Sequence, residues 1–184
     1  MGVEPKESPV IIGLGSNLSG KFGSPRGACG AALEALQNVG LEVIARSPWY
    51  ESAPVPISEQ PRFVNGIVSI MTELAPAALL RQILEIETIM GRQRTKPNAA
   101  RIIDLDLLAQ GKLICDGVGD IPVLPHPRLH ERAFVILPLA DLMPNWQHPL
   151  TRYTALEMKT NLRADQEIHR MADAGGLFGT EWQE

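Results

Sequence analysis

Arg101-Ile102-Ile103-Asp104-Leu105-Asp106-Leu107-Leu108 reads as an apolar strand with two acids set inside it. Strand side chains alternate faces, so Asp104 and Asp106 project one way while Ile103, Leu105 and Leu107 project the other. Their Cβ atoms then stand about 6.5 Å apart, twice the rise per residue. Carboxylates so spaced can reach one or both ions of a metal pair roughly 4 Å apart. A strand with one solvated face would also offer two acids to water. Here, however, Ile102 and Leu108 share the acids' face, and carboxylates among apolar neighbours are unfavourable unless paired. A hard divalent cation is the natural partner, and Mg2+ takes carboxylates together with nucleotide phosphates. Arg92, Arg94, Lys96 and Arg101 precede the acids, supplying the cations a polyphosphate site needs beside its metal.

This strand is the fourth in the chain. Val10 to Leu14 is a short apolar run ending at Gly15, a buried strand. Pro25 to Val39 carries Ala28, Ala32, Leu36 and Val39 at helical spacing and stops at Gly40. Leu41 to Trp49 and Phe63 to Met71 read as the second and third strands, with a proline-rich loop over 51–62 between them. Pro76 suits a first helical turn, Leu79, Ile83, Ile86 and Met90 form one stripe, and Gly91 ends that helix. A basic loop over 92–100 leads into the acid-bearing strand, and Gln110-Gly111-Lys112 makes a hairpin-like turn after it. The order is βαββαβ, the ferredoxin-like α+β pattern, followed by a C-terminal extension. In the extension Ala133 to Leu139 is apolar, 151–163 suits a last helix, and 164–184 is polar. A single domain over 1–184 is expected, with a core of about 9–160 and flexible tails at 1–8 and 164–184.

Composition narrows the class. A net charge of −4 gives no broad electrostatic case for nucleic acid. Cys29 and Cys115 are too few for a disulfide framework and fit a reducing cytoplasm. No run of 18 apolar residues suggests a membrane span, and the polar start MGVEPKESP lacks the apolar core of a signal peptide. The expectation is a cytoplasmic protein with no nucleic-acid or membrane partner, and a monomer.

Other stretches carry competing readings. Gly15 to Lys21 matches GxxxxGK, but Phe22 stands where a Mg2+-binding hydroxyl belongs, and Gly23, Pro25 and Gly27 interrupt the helix a phosphate loop requires. A strand-to-helix turn is the plainer reading. Phe63 and Asn65 share a strand face and could stack on a heterocycle and read its edge, or be a core phenylalanine and a strand-end carboxamide. His126 and His130 are four apart, but Pro127 opposes a helix there, so a loop offering His and Arg to phosphates competes with a solvated loop.

Gly15-Ser-Asn-Leu18, the Tyr50 to Asn65 stretch ending in Gln-Pro-x-Phe-Val-Asn, Gly91-Arg-x-Arg94, Arg101-x-x-Asp104-Leu-Asp106 and the His126 to Phe134 segment occur in one order over Val10 to Trp146. Together they resemble the 6-hydroxymethyl-7,8-dihydropterin pyrophosphokinase family of folate biosynthesis, whose fold is ferredoxin-like. The resemblance implies transfer of pyrophosphate from ATP to the pterin hydroxymethyl oxygen, leaving AMP. It implies that Asp104 and Asp106 bind two Mg2+ ions, and that Arg92, Arg101 and Asp106 are catalytic. Glu87, Arg92, Arg94, Arg101, His126 and Arg132 would contact ATP. Phe63 and Phe134 would sandwich the pterin, Asn65 would read its edge, and Ser52, Ala53, Pro54 and Val55 would complete the pocket. Ala99-Ala100 departs from the Gly-Pro or similar pair common in the family. The altered loop keeps in view an impaired ferredoxin-like nucleotide- or pterin-binding module.

Overall fold

The computed structural model describes residues 9–92, 99–172 and 176. Strand β1 (Val10–Ser16) leads to α1 (Pro25–Asn38), β2 (Glu42–Arg46), β3 (Tyr50–Ser52), β4 (Phe63–Met71), α2 (Pro76–Ile89) and β5 (Asp104–Gln110). A short ribbon of β6 (Cys115–Asp116) and β7 (Val123–Leu124) follows, then α3 (Ala133–Leu142), α4 (Ala155–Thr160) and β8 (Ile168–Arg170). The sheet order is β5-β1-β4-β3-β8, with β2 also on β4, and every pairing is antiparallel. This is the ferredoxin-like βαββαβ arrangement, with β2 and β3 together filling the place of one strand.

The period-two pattern of β1 separates two cores. Val10, Ile12 and Leu14 face a cluster that includes Leu33 and Leu36 of α1 and Leu79 and Ile83 of α2. Ile11 faces the other side, where Ile67 of β4 and Leu108 of β5 meet Val135, Ile136 and Leu139 of α3. Helix α3 covers only part of this second face, and the rest is open. The Ala133 to Leu139 run is apolar all round because one side packs on the sheet and another meets α4.

Three boundaries depart from expectation. The strand expected over Leu41 to Trp49 ends at Arg46, and a separate strand, β3, starts at Tyr50 and runs into the expected loop. At the break the Trp49 ring lies over Gly66, where a Cβ would sit 2.5 Å from a ring carbon. The strand expected from Ile102 begins at Asp104, because the N–H groups of Asn17 and Leu18 both take the Arg101 carbonyl and draw it out of the ladder. The stretch expected as a loose tail contributes β8, whose backbone satisfies the outer edge of β3. The expected turn at Gly111 is present, with φ of 55°, but the chain leaves the sheet after it.

Candidate active site

The open part of the second sheet face forms a cavity of about 470 Å3. Its floor is set by register. Asp104 pairs with Gly15, and Gly15 pairs with Asn65; Asp106 pairs with Gly13, and Gly13 with Ile67. A glycine therefore sits between an acid and its counterpart two strands away, roughly 10 Å across. A Cβ at Gly15 would lie 3.4 Å from Asn65 Oδ1, and one at Gly13 would lie 3.2 Å from a Leu108 methyl. The bare backbone keeps the two ends of the cavity continuous.

At the acid end, Asp104 Oδ1 meets Arg92 Nη1 at 2.5 Å and Asp104 Oδ2 meets Arg101 Nη1 at 2.5 Å. Arg92 also pairs with Glu87, which is buried on α2 and accepts the Leu105 N–H at 2.7 Å. Glu87 thus joins α2 to β5 from beneath the site. Asp106 has a looser partner, Arg132 Nη1 at 3.7 Å. The carboxyl of Asp106 is raised from 3.8 to about 6, first by desolvation and second by the Asp104 charge, which Arg132 offsets only in part. Its side chain keeps 37% exposure, so the concave walls rather than full enclosure impoverish its solvation. Burial and the neighbouring Arg132 charge lower the pKa of His126, and burial lowers that of Arg132.

At the far end, Asn65 is buried and donates from Nδ2 to Ser52 Oγ at 2.8 Å. That bond leaves Oδ1 toward the cavity side of Gly15. The Arg101 guanidinium lies 5.7 Å from the Phe63 ring centre, and Arg132 lies 5.4 Å from that of Phe134. Each aromatic is thereby oriented by a cation belonging to the acid end.

Ser52, Ala53, Val55, Phe63, Asn65, Arg92, Arg101, Asp104, Asp106, His126, Arg132 and Phe134 all line the cavity. Pro54 is buried and is not among the lining residues, and Glu87 lies behind them. Arg94, with Lys96, lies outside the described residues. Arg128 lines the cavity without having been singled out, although it stands between His126 and Arg132 in the same motif. Asn17 was also missed. Its Oδ1 accepts the Arg101 N–H at 2.8 Å and its Nδ2 donates to the Pro61 carbonyl at 3.1 Å. The GxxxxGK string it belongs to forms a 3-10 turn at 20–22, and α1 begins only at Pro25 under a Ser24 cap. The string therefore anchors two loops instead of cradling a phosphate.

Oxygen donors of the Asp104 and Asp106 kind suit Mg2+. Among the described residues no three His, Cys, Asp or Glu side chains group as a metal-holding set. Two protein carboxylates fit a cation that completes its shell with substrate oxygens and water. No helix among the described residues is long and apolar enough to cross a membrane.

Residues 11–144 match the family model described as 7,8-dihydro-6-hydroxymethylpterin-pyrophosphokinase, HPPK. The chain is 40% identical over 147 residues to the 2-amino-4-hydroxy-6-hydroxymethyldihydropteridine pyrophosphokinase of Pseudomonas aeruginosa, covering 78% of this chain and 86% of that protein. It is 36% identical over 164 residues to the folic acid synthesis protein FOL1 of Dictyostelium discoideum, covering 88% of this chain but only 24% of that one. A Plasmodium falciparum HPPK-DHPS structure superposes with a TM-score of 0.65 at 15% identity, over 84% of this chain and 43% of that chain, a likeness of fold. With the matched segment spanning β1 to α3 and enclosing both ends of the cavity, the chain belongs to the 7,8-dihydro-6-hydroxymethylpterin-pyrophosphokinase family.

Proposed function

We propose that the chain transfers the pyrophosphoryl group of ATP to the hydroxymethyl oxygen of 6-hydroxymethyl-7,8-dihydropterin, releasing AMP, as a cytoplasmic monomer in folate biosynthesis. One observation carries this reading. A single cavity joins an acid pair ringed by Arg92, Arg101 and Arg132 to a neutral end walled by Phe63, Asn65 and Phe134. The charged end suits a polyphosphate and the neutral end a flat heterocycle with hydrogen-bonding edges.

In this reading Asp104 and Asp106 would hold two Mg2+ ions together with ATP. When bound, Mg2+ supplies positive charge to the phosphoryl oxygens. Arg92 and Arg101 are now paired with Asp104. On nucleotide binding they exchange that carboxylate for phosphate oxygens, so their charge is already in place when negative charge develops there. Asn65 and the two aromatics hold the pterin with its hydroxymethyl group toward the acids. The hydroxymethyl oxygen forms a bond to Pβ, the bond from Pβ to the α,β-bridging oxygen breaks, and AMP leaves with that oxygen. Asp106, beside the hydroxymethyl group, accepts the hydroxyl proton. Arg132 and His126 bind phosphate or ribose at the rim.

Incubation with ATP, Mg2+ and the hydroxymethyl-dihydropterin is expected to release AMP. Release of ADP instead, or no turnover by folded protein, refutes the assignment. The acid pair and its arginines stand together in one cavity, which favours an enzyme over a module that has lost its chemistry.

A further inference from the structure

Residues 166–170 lie beyond the 11–144 family match, yet they touch both walls of the neutral end. On one side the Ala53 N–H donates to the Glu167 carbonyl at 3.0 Å, and Ser52 pairs with Ile168 in the β3–β8 register. On the other, Gln166 Oε1 accepts the Ala133 N–H at 2.7 Å and Gln166 Nε2 donates to the Glu131 carbonyl at 2.9 Å. Ala133 opens α3, directly before Phe134, and Arg132 at the helix cap makes no side-chain capping bond. Two consecutive residues therefore clasp the Ser52–Val55 wall and the Phe134 wall together. The Arg62–Glu167 pair at 2.6 Å adds a third tie, but it is exposed and contributes little.

We propose that Gln166, seated by β8, is a positioning residue that sets the distance between the two walls receiving the flat substrate. This rests on the function proposed above. No acid-end side chain is bonded to Gln166 among the described residues, but Arg132 lies between the two backbone groups that Gln166 holds, so the clasp bears first on the pterin and only secondarily on ATP. Gln166 is half-buried and its removal leaves both cores intact.

In the full chain, Gln166→Ala is expected to raise KM for the hydroxymethyl-dihydropterin about five- to tenfold, the size of one or two lost hydrogen bonds. KM for ATP should rise less than that for the pterin, through Arg132, and kcat should stay at the parent's value. Gln166→Glu keeps the acceptor for the Ala133 N–H at the α3 N-terminus but loses the donor to the Glu131 carbonyl, so it should restore only part of the pterin KM. A pterin KM unchanged in Gln166→Ala, or an ATP KM that rises as much as the pterin KM, overturns the clasp. Amide hydrogen exchange decides it without turnover. Gln166→Ala should speed exchange at Ala133 and also at Ala53, which Gln166 does not touch. If Ala53 keeps the parent's rate, the two walls are not coupled through 166–167. A parent protein that releases no AMP defeats the proposed function, while the exchange result still decides the clasp.

Discussion

The acid end of the cavity takes Glu87, Arg92, Arg101, Asp104 and Asp106 from one helix–loop–strand passage, whereas the neutral end gathers Ser52, Phe63, Asn65 and Phe134 from β3, β4 and α3. The two ends also differ in what they do to the fold. Charges are crowded in the first and held by one another. In the second, polar groups are neutral and paired, as Asn65 is with Ser52. Local sequence builds the end that carries the chemistry, and tertiary register builds the end that selects a substrate.

The strongest way to break this comparison is at the acids. Asp104→Ala and Asp106→Ala are each expected to lower kcat/KM about 10³-fold or more, with far-UV circular dichroism unchanged. Either variant retaining a tenth of the parent's activity would remove the pair from the reaction. The neutral end should respond more mildly. Phe134→Ala is expected to raise pterin KM about tenfold, the scale of a lost aromatic face, with ATP KM unchanged. A rise in ATP KM of the same size would mean that the ends are not separate.

Much of the acid end was legible because strand periodicity and a run of arginines are local signals. The alternation around Asp104 and the stripe Leu79, Ile83, Ile86 announced β5 and α2 directly. Arg101 lies outside the pleat because the N–H groups of Asn17 and Leu18 hold its carbonyl, which the local string does not reveal. Asn17 itself was hidden inside a string that resembles a phosphate loop, since nothing in Gly-Ser-Asn-Leu says that its partners lie 84 and 44 residues away. The glycine floor was hidden too. Gly13 and Gly15 gain meaning only from antiparallel register against Asp106 and Asp104. The segment 166–170 looked like a polar tail because an edge strand of three residues has almost no pattern to read.

Asn17 offers a finer test, since it bonds Arg101 of one end and Pro61 on the loop leading to Phe63 of the other. Asn17→Ala strands a half-buried Arg101 N–H and removes a bond to the Pro61 carbonyl, and should destabilise the protein by about 1–2 kcal/mol. The thermal midpoint then falls by roughly 2–4 °C per kcal/mol. Both KM values should rise equally, unlike the mainly pterin effect expected for Gln166→Ala. An effect on one substrate alone would show that Asn17 serves a single end.

The smallest effect concerns the strain that the acid end places on the fold. The Asp106 carboxyl is raised from 3.8 to about 6, so the folded protein holds its proton more tightly than the unfolded chain does. Stability from this group is fully present below about 3.8 and is lost as pH rises through 6. Asparagine has the same shape and no charge to desolvate. In metal-free protein, Asp106→Asn should therefore raise the thermal midpoint, with a gain over the parent that grows from pH 4 to pH 7 and then levels. Phe134→Ala is the control from the neutral end. It removes no charged group, so its change in midpoint should differ little between the same pH values. A pH-independent gain for Asp106→Asn would mean that Arg132, at 3.7 Å, fully compensates the ionised acid, and the contrast between a strained end and a relaxed one would fail.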